Sequence, residues 1–316
     1  MIKLDLKDRK VLYELDRNSR QSNSEIAKKV RLNKNTVNYK IKRLEKEGII
    51  LNYYAVIDNS KLGYFSFRCY FKFFNTTSEK EEEIINWLKN SKIVGVVGKI
   101  ETIYDLLFMV WVKNIYEFDD FWLEFKKQYR QYIWMESVHV FSKVWHFKRK
   151  YLLEEQKTEN YEFIGTNKLE KYDNLDFEIL KLLAKNARIQ IIELSQKLKT
   201  PHRTIAFRIK QLEKKKIIQG YRVNLNLEKI GYEYYKMNMI LNSYEKYEEL
   251  LNFCKNHLNI IYIDRTLTEL DFEIDVEVKN RQELLKLLNE IKFKFNVRDM
   301  EILVYKEYYK LESLPQ

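Results

Sequence analysis

Shifted by 168 residues, the sequence falls on itself without a gap over two blocks of about 64 residues. Asp8–Leu12 lies on Asp176–Leu180, Asn18-Ser19-Arg20 on Asn186-Ala187-Arg188, and Glu25 on Glu193. Ile41–Lys46 lies on Ile209–Lys214, Ile49-Ile50 on Ile217-Ile218, and Gly63-Tyr64 on Gly231-Tyr232. With a two-residue shift the match continues, pairing Tyr104-Asp105 with Leu270-Asp271 and Val112-Lys113-Asn114 with Val278-Lys279-Asn280. The chain is therefore a tandem duplication, two units of about 150 residues joined by a polar stretch.

The first 60 or so residues of each unit carry three helical periods. In the first copy Val11, Leu12 and Leu15 give one apolar face, Ile26, Ala27 and Val30 a second, and Val37, Ile41 and Leu44 a third. Ser22 and Glu25 have capping-box spacing, and Asn33 suits the N-cap of the third helix. Only Arg31-Leu32 separates the last two helices, which fits a tight helix-turn-helix. In the second copy Thr200-Pro201 reads as a cap followed by proline at the first helical position. Gly48 ends the third helix and a strand follows over Ile49–Ile57.

After that the period changes to two, and the order becomes β-α-β-β-α-β, a ferredoxin-like arrangement. The expected architecture is α+β: two tandem units, each a winged helix-turn-helix followed by a ferredoxin-like βαββαβ domain. The expected boundaries are 1–63 and 64–153 for the first unit, a linker over 154–172, and 173–231 and 232–316 for the second. Alternating strands such as Leu106–Val112 and Phe272–Val278 predict that the two ferredoxin-like domains pack together as an intrachain pseudo-dimer, with further association of chains left open.

Charge follows the same division. Residues 1–63 hold 15 Lys/Arg against 8 Asp/Glu, and residues 168–231 hold 15 against 7, whereas the remainder holds 27 against 31. The whole positive excess, +11 in total, lies in the two helix-turn-helix blocks. That is the footprint of two nucleic-acid-binding domains on neutral-to-acidic partners. Two cysteines, Cys69 and Cys254, provide neither a disulfide framework nor a thiolate metal site. Without an apolar run of membrane length or a leader-like N-terminus, the expectation is a cytoplasmic chain.

Asp8-Arg9-Lys10-Val11-Leu12, Glu25–Val30 and Arg43–Ile50, followed by a β-α-β-β-α-β domain, resemble the Lrp/AsnC family of transcription regulators. The resemblance implies sequence-specific binding of double-stranded DNA, dimerisation through the second domain and, as in many members, an amino-acid effector bound between subunits, with a motif at the turn into the third strand of that domain. The family commonly has Gly-x-x-Asp there; this chain has Thr102-Ile-Tyr-Asp105 and Thr268-Glu-Leu-Asp271. Those four named residues are the effector candidates, weakened by the loss of glycine in both halves.

The third helix of each unit is the expected recognition helix. Opposite the face of Val37, Ile41 and Leu44 lie Asn35, Tyr39 and Lys42, with Asn38 and Arg43 at the flanks and Lys34 at the N-terminal end. Asn suits adenine and Lys guanine in the major groove. In the second copy Arg203, Phe207 and Lys210 take the positions of Asn35, Tyr39 and Lys42, with His202 near phosphate and Ala206 replacing Asn38. Two different helices imply an imperfectly palindromic site. Phe207 packed against protein would instead mark a degenerate second copy.

Other chemistry finds little support. His139 and His146, seven apart on one strand, are expected on opposite faces and hence not in one metal site. No glycine-rich phosphate loop or nucleophile–base pair occurs, so no cofactor and no enzymatic activity are expected. Two alternatives stand beside the regulator: siroheme decarboxylases, which are similar in their paired units, and a helix-turn-helix scaffold that binds only protein. The basic exposed faces of both third helices favour the regulator.

Overall fold

Local sequence starts each helix of the first three-helix unit. Asp5 and Asp8 close a capping box on α1 (Leu6–Arg17), and Ser22 and Glu25 close one on α2 (Asn23–Val30). The Asn33 side chain accepts from the Thr36 amide at 2.7 Å to start α3 (Lys34–Lys46). Gly48, at φ +66°, turns the chain into β1 (Ile50–Ile57). These coordinates are a computed structural model, and it describes residues 2–154, 161–166 and 168–315.

The first ferredoxin-like domain runs β2 (Phe65–Phe73), α4 (Ser78–Asn90), β3 (Val94–Ile100), β4 (Leu106–Val112), α5 (Ile115–Tyr129) and β5 (Ile133–His146). A short strand, β6 (Glu162–Ile164), pairs with the end of β5. The stretch expected to be a bare linker thus adds a strand, because β5 outruns β2 and leaves an open edge; residues 155–160 and 167 of that stretch lie outside the described residues.

The second copy repeats the order: α6 (Asn174–Lys185), α7 (Ile191–Lys197), α8 (His202–Lys214), β7 (Ile218–Leu225), the one-turn α9 (Leu227–Ile230), β8 (Glu233–Leu241), α10 (Tyr247–Asn256), β9 (Ile260–Leu267), β10 (Phe272–Val278), α11 (Arg281–Phe295) and β11 (Val297–Leu311). One local expectation is corrected. Thr200 does not cap α8: its hydroxyl donates to the Leu198 carbonyl, and Pro201 itself is the N-cap, with no side-chain cap.

The copies join twice. After each helix-turn-helix the strand pairs with its counterpart in the other unit, β1 antiparallel to β7, with Tyr54 opposite Arg222. Farther on, β5 and β11 are 14 and 15 residues long, too long for their own sheets. The first half of β5 pairs with β2 and the second half with β9. The first half of β11 pairs with β8 and the second with β3. The two four-stranded sheets therefore close edge to edge into one eight-stranded antiparallel barrel, which removes the open edges of both.

Each sheet buries its outer face under its own helices. Phe108, Phe121 and Phe125 anchor one apolar core, and Phe272, Ile274, Leu287 and Ile291 the other. The inner faces line a lumen, and here the copies have diverged. At matching inward positions β4 carries the buried Leu107 and Trp111 and the half-buried Met109, whereas β10 carries Glu273, Asp275 and Glu277, three buried acids. The Trp111 ring lies where a Cβ on Gly95 would come within 1.6 Å of it, so that position must be glycine.

A bulge between Phe141 and Lys143 resets the alternation along β5. His139, beside Tyr70 and 3.6 Å from Glu273, and His146, against Tyr262, consequently both face inward, correcting the expectation of opposite faces.

Candidate nucleic-acid interface

The recognition helices are built alike. On α3 the buried side is Val37, Ile41 and Leu44; on α8 it is Ile205, Ile209 and Leu212. Opposite these, Lys34, Asn35, Asn38, Tyr39 and Lys42 are exposed on α3, and His202, Arg203, Phe207 and Lys210 on α8. Tyr39 is 65% and Phe207 58% exposed, so Phe207 is not packed into the protein. Asn38 accepts a 3.2 Å hydrogen bond from Asn23 of α2, which fixes its side-chain oxygen and leaves its amide free to face outward.

Arg43 is placed differently from its expected flanking role. Its guanidinium lies 2.7 Å from Asp8 of α1, and Lys40 joins the same carboxylate at 2.8 Å. In the second copy Arg208 pairs with Asp173 at 2.8 Å and Asp176 at 3.2 Å. These cations fasten the third helix to the first. Asp8 draws the Arg43 guanidinium upward from its ordinary pKa, so it stays charged and held.

What sequence reading missed is how the heads are held together. Arg20 donates to the carbonyls of Ala187 and Ile189 at 2.6 and 3.0 Å. Its repeat equivalent, Arg188, donates to Ser19 O and Asn23 Oδ1, both at 2.7 Å. Each guanidinium also sits over a tyrosine of the other platform strand, Arg20 over Tyr221 and Arg188 over Tyr53. Those tyrosines donate to Glu213 and Glu45 of the recognition helices, at 2.6 and 2.7 Å. The signal was in the sequence, since Asn18-Ser19-Arg20 and Asn186-Ala187-Arg188 align, but only the fold shows that the two motifs face each other.

A second set of buried charges fastens the heads to the barrel. Asp16 of α1, wholly buried, accepts from Arg222 of β7 and from Arg149, and Arg149 continues to Glu277 of β10. Lys148 and Arg222 share Glu162 of β6.

The effector candidates are occupied in holding strands. Asp105 accepts from Lys72 Nζ at 2.7 Å and from the Phe73 amide at 2.8 Å; Asp271 accepts from the Leu241 amide at 2.7 Å and from the Tyr244 hydroxyl. Neither Thr102 nor Thr268 has a positive φ, so threonine is tolerated at the family's glycine position. None of the four lines the lumen cavity.

A family model described as winged helix-turn-helix DNA-binding matches residues 4–50 and again 172–219. The HTH-type transcriptional regulator Ptr1 of Methanocaldococcus jannaschii is 30% identical over 118 residues, 37% of this chain and 80% of that protein. The HTH-type transcriptional regulator LrpB of Bacillus subtilis is 29% identical over 119 residues, 38% of this chain and 80% of that protein. Among solved structures, the siroheme decarboxylase NirDL matches 98% of this chain and 94% of its own at a TM-score of 0.66 and 14% identity. That match corrects the expectation of a non-enzymatic chain: an enzyme has the same fold from end to end, so the paired-unit architecture does not exclude catalysis.

Proposed function

The chain belongs to the Lrp/AsnC family of helix-turn-helix transcriptional regulators, carrying the family's unit twice, and on that premise we propose that one chain reads one imperfectly palindromic DNA site with two non-identical heads. The observation that supports this most is the reciprocal Arg20–Arg188 clasp, which fixes two exposed, basic recognition helices in one quasi-symmetric platform. A rigid pair of heads suits two half-sites separated by a set number of helical turns. Asn35, and Asn38 through its free amide and the second lone pair of its oxygen, offer donor and acceptor together and suit adenine, whereas Arg203 suits guanine and Phe207 a thymine methyl group. Lys34, Lys42, His202 and Lys210 supply phosphate or guanine contacts, and Arg43 serves the fold instead.

The test is duplex affinity as a function of salt. Lys42→Ala and Lys210→Ala should each lower the slope of log affinity against log salt by about one unit, while Arg43→Ala leaves it unchanged. Unchanged slopes for both lysine variants would mean that these faces do not meet DNA.

A second reading, an enzyme of the decarboxylase type, has the NirDL likeness in its favour. NirDL has been solved with an iron-uroporphyrin III analogue. The lumen cavity here is about 260 Å³, under the usual range for drug-sized ligands, and its wall carries Asp264 and Asp275, which repel a polycarboxylated tetrapyrrole. Visible absorbance in the protein as purified, or co-elution of an added tetrapyrrole with the protein on gel filtration, would favour the enzyme.

A further inference from the structure

The cavity is lined from all eight barrel strands and is roofed by Tyr54, Ala55, Val56 and Ile57 of β1. It lies between the barrel and the strand that carries the first head. We propose that it is a binding site for one small organic cation, an alkylammonium group held between Asp275 and a cluster of tyrosines.

The charge balance of the lumen points to a cation. Arg68 of β2 and Lys236 of β8, equivalent positions of the repeat, are both buried and share Asp264 at 2.8 and 2.7 Å. Both also reach Glu273, Lys236 at 3.3 Å. Two fixed cations therefore satisfy two carboxylates. The third, Asp275, is 5% exposed and among the described residues has only a 3.4 Å contact to Lys236. A buried carboxylate without a full partner is unfavourable unless a cation or a proton joins it.

The surroundings select the kind of cation. Tyr234, Tyr262, Tyr305 and Tyr308 line the cavity beside Asp275 and Asp264. Tyr234 and Tyr305 meet edge to face at 5.4 Å, and Tyr305 and Tyr308 stack at 6.1 Å. Burial pushes the phenols of Tyr234 and Tyr305 well above their ordinary pKa, with Asp275 adding to the shift, so they stay neutral and keep their π faces; Tyr308, 43% exposed, closes the cavity at its rim. Aromatic faces around a carboxylate recognise alkylammonium groups, whereas a hydrated metal ion would need oxygen ligands in place of ring faces. Leu107, Met109 and Trp111 form an apolar wall for the alkyl part. At the same inward positions the second copy has acids, so the duplication has built one amphipathic cavity from two diverged halves.

Binding should depend on pH. Burial raises the Asp275 carboxyl from 3.8 to about 7, opposed by Lys236 and Arg68 and reinforced by Asp264 and Glu273. Tyr70, Tyr234, Tyr305 and Tyr308 also face it, while His139 stands against Glu273. An ammonium ion must displace that proton, so affinity rises as pH rises through about 7.

Calorimetry on the full chain without DNA tests this independently of duplex reading, with n-butylammonium and sodium butyrate as probes. At pH 8 n-butylammonium should bind at one site per chain and butyrate should not. Affinity should fall roughly tenfold at pH 6, following Asp275 protonation. Asp275→Asn should weaken binding roughly tenfold to a hundredfold, the size of a hydrogen bond to a charged group, and abolish the pH dependence. Tyr308→Leu, which leaves the charges in place, should weaken it roughly threefold and keeps the test decisive if Asp275→Asn fails to fold. No heat with n-butylammonium, butyrate binding in its place, or equal affinity in wild type and Tyr308→Leu overturns the proposal.

Discussion

Asp16 lies where the first head, the second platform strand and the barrel meet. Its two oxygens accept from Arg222 Nη2 at 2.9 and 3.0 Å, from Arg149 Nη1 at 2.7 Å and from the Arg149 amide at 2.8 Å. Burial alone would raise its carboxyl, but Arg222 and Arg149 overcome burial and hold it below the usual carboxylate value. A carboxylate whose folded pKa is depressed contributes stability that is full above the unfolded value and is lost as pH falls through the folded one. Asp16→Asn should therefore lower stability by about 3–5 kcal/mol at neutral pH, since two buried guanidiniums lose their anion. The wild-type advantage should narrow below pH 3.8, the ordinary aspartate value. Urea unfolding of both proteins at pH 7 and in acid checks this, and a deficit under about 1 kcal/mol at pH 7 would remove Asp16 from the joint. No local pattern reveals this residue. The repeat puts Ala184 opposite Asp16 and Tyr54 opposite Arg222, so the network exists on one side only, and one-sided features are the ones a repeat alignment passes over.

Elements were more legible than their surroundings. The capping boxes and the apolar faces of α1 to α3 follow from spacing alone, because a helix start depends on four neighbouring residues. The caps also separate the two recognition helices. Asn33→Ala removes the bond to the Thr36 amide and should lower stability by about 1 kcal/mol. Thr200→Ala, just ahead of α8, removes no cap and should stay within about 0.5 kcal/mol. Equal losses in thermal unfolding of the two variants would contradict the cap assignment. Strands were legible as strands but not as walls. Phe272–Val278 alternates as an amphipathic strand should, yet its polar side faces a lumen, because period two cannot distinguish water from an enclosed space. The bulge at Phe141–Lys143 likewise turned His139 and His146 to one side, and no glycine or proline marks it.

At the scale of the whole molecule, duplication does what dimerisation does for a single-unit chain, with one added freedom: the halves can differ. Both halves keep the structural charges, Arg20 and Arg188 at the clasp and Arg68 and Lys236 in the lumen. They differ where a ligand or a base would be met, Asn38 against Ala206, Asn35 against Arg203, and Met109 against Asp275. The halves and their element order were readable from the 168-residue offset. Barrel closure was not, since it depends on which edge the ends of β5 and β11 find. The central claim is that one chain reads one asymmetric site, and selection of bound duplexes from a random pool tests it most directly when repeated with Asn38→Ala and Arg203→Ala. A lost bidentate base contact weakens binding to the right base by about 1–3 kcal/mol and hardly affects the wrong ones. The account predicts a two-part site bound by one chain, with each variant losing sequence preference in one half and keeping it in the other. Loss in both halves with either variant, or no enriched sequence with the wild type, would contradict it.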